Sequence, residues 1–220
     1  MTYDGRVKKM GPSEKKILDL LAIWKISVSG LDNNAYLLAC RRTGAQLLID
    51  AADGAARLLE LVAQGSGRLD TVVTTHQHWD HHRALAEILA STGATSICGT
   101  DDAVGLPVAP DRTVDHGDQV RFGDVALDIV HLRGHTPGSI ALAYDDPRGH
   151  THLFTGDSLF PGGVGNTKDD GQSFASLIED VSTRVFDVYD DDTWVYPGHG
   201  GDTTLGAERP HLQEWRDRGW

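Results

Sequence analysis

The sequence predicts a mixed α/β protein, built as a four-layer α/β/β/α sandwich. Three observations point there. Short runs rich in Ile, Leu, Val and aromatics alternate with segments of helical apolar spacing along the 220 residues. Their order is a β-rich half, helix, strand, helix, strand, then a second β-rich half with a late helix, which is neither all-β nor a strict βαβ repeat. Two sheets, each with an outer apolar face, need helices to cover those faces, and the result has four layers.

Residues 1–16, with Lys8, Lys9, Lys15 and Lys16, read as a flexible N-terminal arm, leaving one domain over 17–220. Strands are expected over 20–29 and 35–40, separated by the turn at 30–34, and over 46–50 after a turn at 41–44. Asp53 is placed to cap a helix with apolar residues Leu58, Leu59, Leu61 and Val62, closed by Gly65. A buried-type strand follows at 70–75, a helix at 84–91 ending in Gly93, and a short strand at 95–98. Further strands are expected at 125–132, 139–144, 152–155 and 193–196. The late helix runs over 174–186, capped by Ser173, with Phe174, Leu177, Ile178, Val181 and Val185 on one face.

Composition narrows the function. At 40% hydrophobic and 24% charged residues the chain is globular, which excludes disordered and fibrous classes. Acidic residues outnumber basic ones 32 to 20, for a formal charge of −12. Such a surface repels phosphate backbones and anionic lipid, so neither a nucleic-acid nor a membrane partner is expected. No run approaches the ~18 apolar residues of a membrane span, and no secretory signal pattern is present. Cys40 and Cys98 form neither a CxxC nor a disulfide framework, so a reduced, cytoplasmic protein is expected.

The unusual number is 11 histidines. His76-Gln77-His78-Trp79-Asp80-His81-His82 begins where the strand at 70–75 ends, and strand-end loops collect functional side chains. His76 and His78, two apart in an extended loop, can aim both imidazoles at one metal. Asp80 and His81 follow at a helix start and can serve a second. These donors suit Zn²⁺, Mn²⁺ or Fe²⁺. Three further donors sit at strand ends beside glycine: His135 in Gly134-His135-Thr136-Pro137-Gly138-Ser139, Asp157 in Thr155-Gly156-Asp157-Ser158-Leu159, and His199 in Pro197-Gly198-His199-Gly200. Glycine permits close approach to such a site. Together they complete a dinuclear set, with His76, His78 and His135 on one ion, Asp80, His81 and His199 on the other, and Asp157 between them. His82 diverges from His81 and is not expected to ligate. His116, His131, His150, His152 and His211 lack a matching context. There is no GxSxG elbow or nucleotide-binding glycine loop.

The run THxHxDH, then GHTPGS, TGDSLF and PGHG, resembles the metallo-β-lactamase superfamily, most nearly its glyoxalase II-like hydrolases. The resemblance implies the αββα sandwich with the metals at one edge, and the same ligand partition. It implies two divalent ions, zinc first with iron or manganese as alternatives, and a hydroxide attacking the carbonyl of a small thioester or related ester. Asp80 and Asp157 would be the catalytic carboxylates. Asp50, ending the run Leu47-Leu48-Ile49-Asp50, matches a family aspartate that orients a ligand. By the same resemblance, an aspartate at position 157 fits thioester, lactone or phosphodiester hydrolases, or persulfide dioxygenases, better than zinc β-lactamases. Glutathione-using members carry a basic GCGK-like turn and a helical C-terminal domain. Here Gly162-Gly163-Val164-Gly165-Asn166 has no lysine before Lys168, and 21 residues follow His199. Phe160, Asn166 and Lys168 are candidate substrate-loop residues, 160–173 a candidate lid, and Trp79 a candidate wall of the pocket. The alternatives are a persulfide dioxygenase, with one iron on His76, His135 and Asp157, and a lactonase.

Overall fold

A computed structural model describes residues 3–169 and 171–219. One sheet holds seven strands in the order of the chain: β1 (Glu14–Ile17), β2 (Leu21–Ser27), β3 (Asn34–Cys40), β4 (Gln46–Ile49), β5 (Thr71–Thr74), β6 (Thr95–Gly99) and β7 (Arg112–Val114). The first three pairings are antiparallel and the last three parallel. The parallel steps are made by crossovers, through helices α1 (Ala55–Ala63) and α2 (Leu85–Thr92) in the first two. The second sheet is built from β8 (Gln119–Phe122), β9 (Val125–His131), β10 (Ile140–Asp145) and β11 (Thr151–Gly156). A short hairpin of β12 (Leu159–Phe160) and β13 (Gly163–Val164) follows, then helix α3 (Phe174–Val181). β14 (Trp194–Pro197) lies parallel to β11 and β15 (Thr203–Thr204) closes the edge, giving the order β15-β14-β11-β10-β9-β8. Helices α4 (Leu205–Glu208) and α5 (Leu212–Arg218) end the described chain.

Side-chain alternation builds the layers. Leu21, Ile23, Tyr36, Leu38, Leu47 and Ile49 face Leu127, Ile129, Leu142, Phe154 and Tyr196 between the sheets. Their neighbours Ala22, Trp24, Leu37 and Leu48 face the other way and pack with Leu58, Leu61, Leu85 and Ile88 of α1 and α2. On the far side, Ala141, Leu153 and Val195 pack with Leu177, Val181 and Trp215 of α3 and α5. Period-two strands buried on both faces thus form the four layers expected from the sequence.

Three local expectations change. The described part of the arm is not loose: residues 14–17 pair with β2, Tyr3 Oη donates to Asp202 Oδ2 at 2.6 Å, and Gly5 and Met10 carbonyls accept from Lys25 and Arg57. Its polar sequence hides this, because its bonds are made by backbone and by distant side chains. Met1 and Thr2 lie outside the described residues. Asp53 does not cap α1; Gly54 does, at φ 64°, while the Asp53 carboxylate takes the Gly54 amide and Arg83. The late helix keeps its Ser173 cap but widens into a π-type turn over Ser182–Phe186. Among the described residues no helix is long and apolar enough to cross a membrane.

Candidate metal centre

The strand ends that the topology brings together carry the chemistry. β5 delivers the loop of His76 and His78 and the single turn Trp79–His81, β11 delivers Asp157, and β14 delivers His199. The two sheets meet here through an isolated bridge between Asn33 and His199, with Asn34 N–H donating to Gly198 O at 2.7 Å, and within the second sheet Gly198 N–H donates to Gly156 O at 2.8 Å. Gly198 must be glycine, since a Cβ there would collide with Asp157 Oδ1 and His81 Cε1.

All seven predicted donors converge. His76, His78 and His135 form one group, Asp80, His81 and His199 a second, and His76, His81 and Asp157 a third that joins them, with ligand atoms in each group within 4.8 Å of one another. His78 Nδ1 lies 2.9 Å from His135 Nε2, and His81 Nε2 lies 3.2 Å from His199 Nε2. Asp157 reaches both halves, Oδ1 at 3.4 Å from His81 and Oδ2 at 3.7 Å from His135 and 3.4 Å from His199.

The outward nitrogens are held by oxygen atoms. The hydrogen-bond network assigns Nδ1–H of His135 to the Asn166 carbonyl (2.7 Å), of His199 to the Leu31 carbonyl (3.0 Å) and of His81 to Asp50 Oδ2 (2.9 Å). Thr75 gives its hydroxyl proton to Asp50 Oδ2 at 2.8 Å and so accepts from His76 Nδ1 at 3.0 Å. Each bond leaves an Nε2 lone pair aimed inward, the tautomer a metal needs. Among the described residues, His76 Nε2 and Asp157 Oδ1 are buried without a hydrogen-bond partner. Orphaned acceptors, with ring nitrogens facing one another at 2.9 and 3.2 Å, suit a cation between them. The donor set therefore fits two divalent ions of the borderline-hard kind.

The family model described as the metallo-beta-lactamase superfamily matches residues 28–205. The chain belongs to that superfamily. Among its relatives, a protein of Polaromonas sp. (strain JS666) named hydroxyacylglutathione hydrolase is 36% identical over 174 residues, covering 76% of this chain. The chain spans 62% of that relative's length. Among solved structures, ETHE1 from Myxococcus xanthus is 29% identical with a TM-score of 0.76, over 86% of this chain and 82% of that one. TTHA1623, solved in a di-iron-bound form, is 32% identical with a TM-score of 0.71, over 84% and 96%. The resemblance read from the four motifs is borne out at the level of superfamily and fold.

Burial and neighbouring charge set the protonation of this superfamily member's cluster. Burial works to raise the Asp157 carboxyl, but His81 beside it and the His199 hydrogen bond hold it well below the usual range. Burial works to lower His81, but Asp157 and Asp50 hold it well above. Burial, together with neighbouring His81, keeps His76 well below the ordinary imidazole value. The space between His81 and Asp157 thus favours positive charge, which a proton or a metal ion supplies.

The remaining predicted residues fall as follows. Asp50 sits at the end of β4, at φ 58°, and bonds Thr75 N–H at 2.7 Å in addition to His81. His82 turns away to the Gln77 carbonyl at 2.9 Å, outside the cluster. Phe160 lies with its ring 6.4 Å from that of His199. Asn166 acts through its backbone carbonyl on His135, while its side chain accepts the Lys168 amide at 3.2 Å. Lys168 is exposed on the same loop, in which Asp170 lies outside the described residues. Trp79 is exposed, its ring covered on one face by the Arg83 guanidinium at 3.8 Å.

Sequence reasoning missed Asn33, read only as a turn residue. Its buried amide donates to Asp80 Oδ2 at 3.0 Å and to the Asp80 carbonyl at 3.1 Å, and Ser29 holds its oxygen. It missed Asp102 as well. Asp102 sits in an acidic pair in the turn beyond the strand Thr95–Gly99, and nothing in that local pattern marks it apart from a turn carboxylate.

Proposed function

We propose that the chain is a cytoplasmic, dinuclear metal-dependent hydrolase of a small thioester or related ester. The observation that carries this reading is the inward orientation of seven donors around buried, unpartnered atoms of His76 and Asp157. His76, His78 and His135 would hold one ion, Asp80, His81 and His199 the other, and Asp157 both. Two such ions, zinc first among the candidates, would bring the pKa of a bound water toward about 7 and polarise the substrate carbonyl.

The protein's own groups supply the rest. Asp50, Thr75, Leu31 and Asn166 fix the imidazoles in the required tautomer before substrate arrives. Asn33 keeps Asp80 ionised: burial opposes this, but the amide hydrogen bond and neighbouring His81 hold the carboxyl below its ordinary value. A cavity of about 240 Å³, lined by Gln77, His78, His135, Thr136, Pro137 and Gln172 among others, opens beside the first group. That volume suits a small acyl group. A thiol of pKa about 8.5 leaves without a dedicated proton donor, which favours thioesters over amides. The similarity to a protein named hydroxyacylglutathione hydrolase supports the same bond type.

The structural likeness to ETHE1 favours one second reading, a persulfide dioxygenase with a single iron on His76, His135 and Asp157. Elemental analysis followed by a panel of thioester, lactone and persulfide substrates separates the two. The hydrolase carries two divalent ions and cleaves a thioester without oxygen uptake; one iron with oxygen consumption replaces it by the second reading.

A further inference from the structure

Asp102 has no exposed surface and, among the described residues, no basic side chain paired with it. A carboxylate is held there only if hydrogen bonds replace its water. They come from two loops of the candidate site. Oδ2 accepts the Gln77 amide at 2.9 Å and the Thr136 hydroxyl at 2.5 Å, and Oδ1 accepts the Gly138 amide at 2.7 Å. Gln77 is one residue from both His76 and His78, and Thr136 directly follows His135. The two loops clamped by this one carboxylate therefore bear all three imidazoles of the first group, and bring His78 Nδ1 to 2.9 Å from His135 Nε2. Gly138 is part of the fit, since a Cβ there would collide with the Asp102 backbone.

The second group is held by different residues. Asp80, His81 and His199 are oriented by Asn33, Asp50 and the Leu31 carbonyl, and none of these bonds to Asp102. Asp157 lies between the halves, within reach of His81, His135 and His199.

We propose that Asp102 is a positioning residue for the His76, His78 and His135 half of the centre, setting ion affinity there without setting it in the other half. The inference rests on the dinuclear reading above. Asp102→Asn keeps the shape but turns an N–H against the Gln77, Thr136 or Gly138 donors. Thr136→Val, which removes one donor of the three at nearly constant volume, serves if the first variant folds poorly.

The test is zinc per chain, measured by elemental analysis after equilibration against a graded chelator, with circular dichroism on the same samples. Wild type is expected to hold two zinc ions. Asp102→Asn is expected to hold one, and Thr136→Val two, of which one is released at roughly tenfold lower chelator strength, at the low end of the 10–100-fold cost of losing an outer partner. Adding His78→Ala to Asp102→Asn leaves the count at one, whereas adding His199→Ala removes the last ion. Two ions held with wild-type affinity in both variants overturn the role of Asp102, as does equal loosening of both ions in a folded variant. A wild-type protein that takes up no zinc overturns the dinuclear reading itself.

Discussion

Asp50 acts on the cluster through His81: one carboxylate oxygen lies 2.9 Å from His81 Nδ1, and the other takes the Thr75 amide at 2.7 Å. A left-handed residue at a strand end thereby joins the imidazole of one ion group to the loop of the other. Asparagine tolerates that backbone conformation, so Asp50→Asn removes the charge with little strain. The expected outcome is 10–100-fold weaker binding of the ion at Asp80, His81 and His199, read by competition with a chelator. Unchanged affinity would show that the His81 ring needs no carboxylate behind it.

The loop after His199 is anchored by a buried ion pair. Lys25 Nζ lies 2.6 Å from Asp202 Oδ1 and donates to the carbonyls of Gly5 (3.1 Å) and Gly200 (2.7 Å), with neither side chain exposed. Burial pushes the Lys25 ammonium down and the Asp202 carboxyl up, so the pair exists against a desolvation cost. Among the described residues, Lys25→Met leaves the Asp202 carboxylate with the Tyr3 and Trp194 hydrogen bonds. It should cost about 3–5 kcal/mol in urea unfolding. A loss below about 1 kcal/mol would mean that the two aromatic donors suffice.

His152 gives the fold an acid limit away from the cluster. Its ring is fully buried, with Nδ1 on the Tyr196 hydroxyl at 2.9 Å, Lys16 and His150 nearby, and Tyr144 stacked beside it. Burial, then Lys16 and His150, lower its pKa to about 3, against 6.5 unfolded. The folded state excludes a proton that the unfolded chain binds, so stability falls as pH drops from about 6.5 toward 3, by about 1.4 kcal/mol per unit. Unfolding midpoints across that window should fall more steeply in the wild type than in His152→Gln. Parallel curves would assign the acid limit to other groups.

The sequence is legible where burial and chemistry coincide. Residues such as Leu47, Leu48, Val72 and Val73 announce strands because both faces are covered. The His76–His82 run and the glycine-flanked His135, Asp157 and His199 announce a cluster because few other roles call for that density of imidazole. The same reading fails where the signal lies in three dimensions only. β1 is Glu-Lys-Lys-Ile at the sheet edge and its apolar content is too low to register. Asn33 and Asp102 look like ordinary turn residues, yet each bonds groups 25 to 47 positions away. Nothing in local spacing records such pairings.

Metal content of the wild type and of Asp157→Ala, measured beside thioester hydrolysis, bears most directly on the central claim. Two divalent ions per wild-type chain are expected, with both metal and hydrolysis lost together in Asp157→Ala. An Asp157→Ala protein that keeps its metal and its full activity would contradict the account.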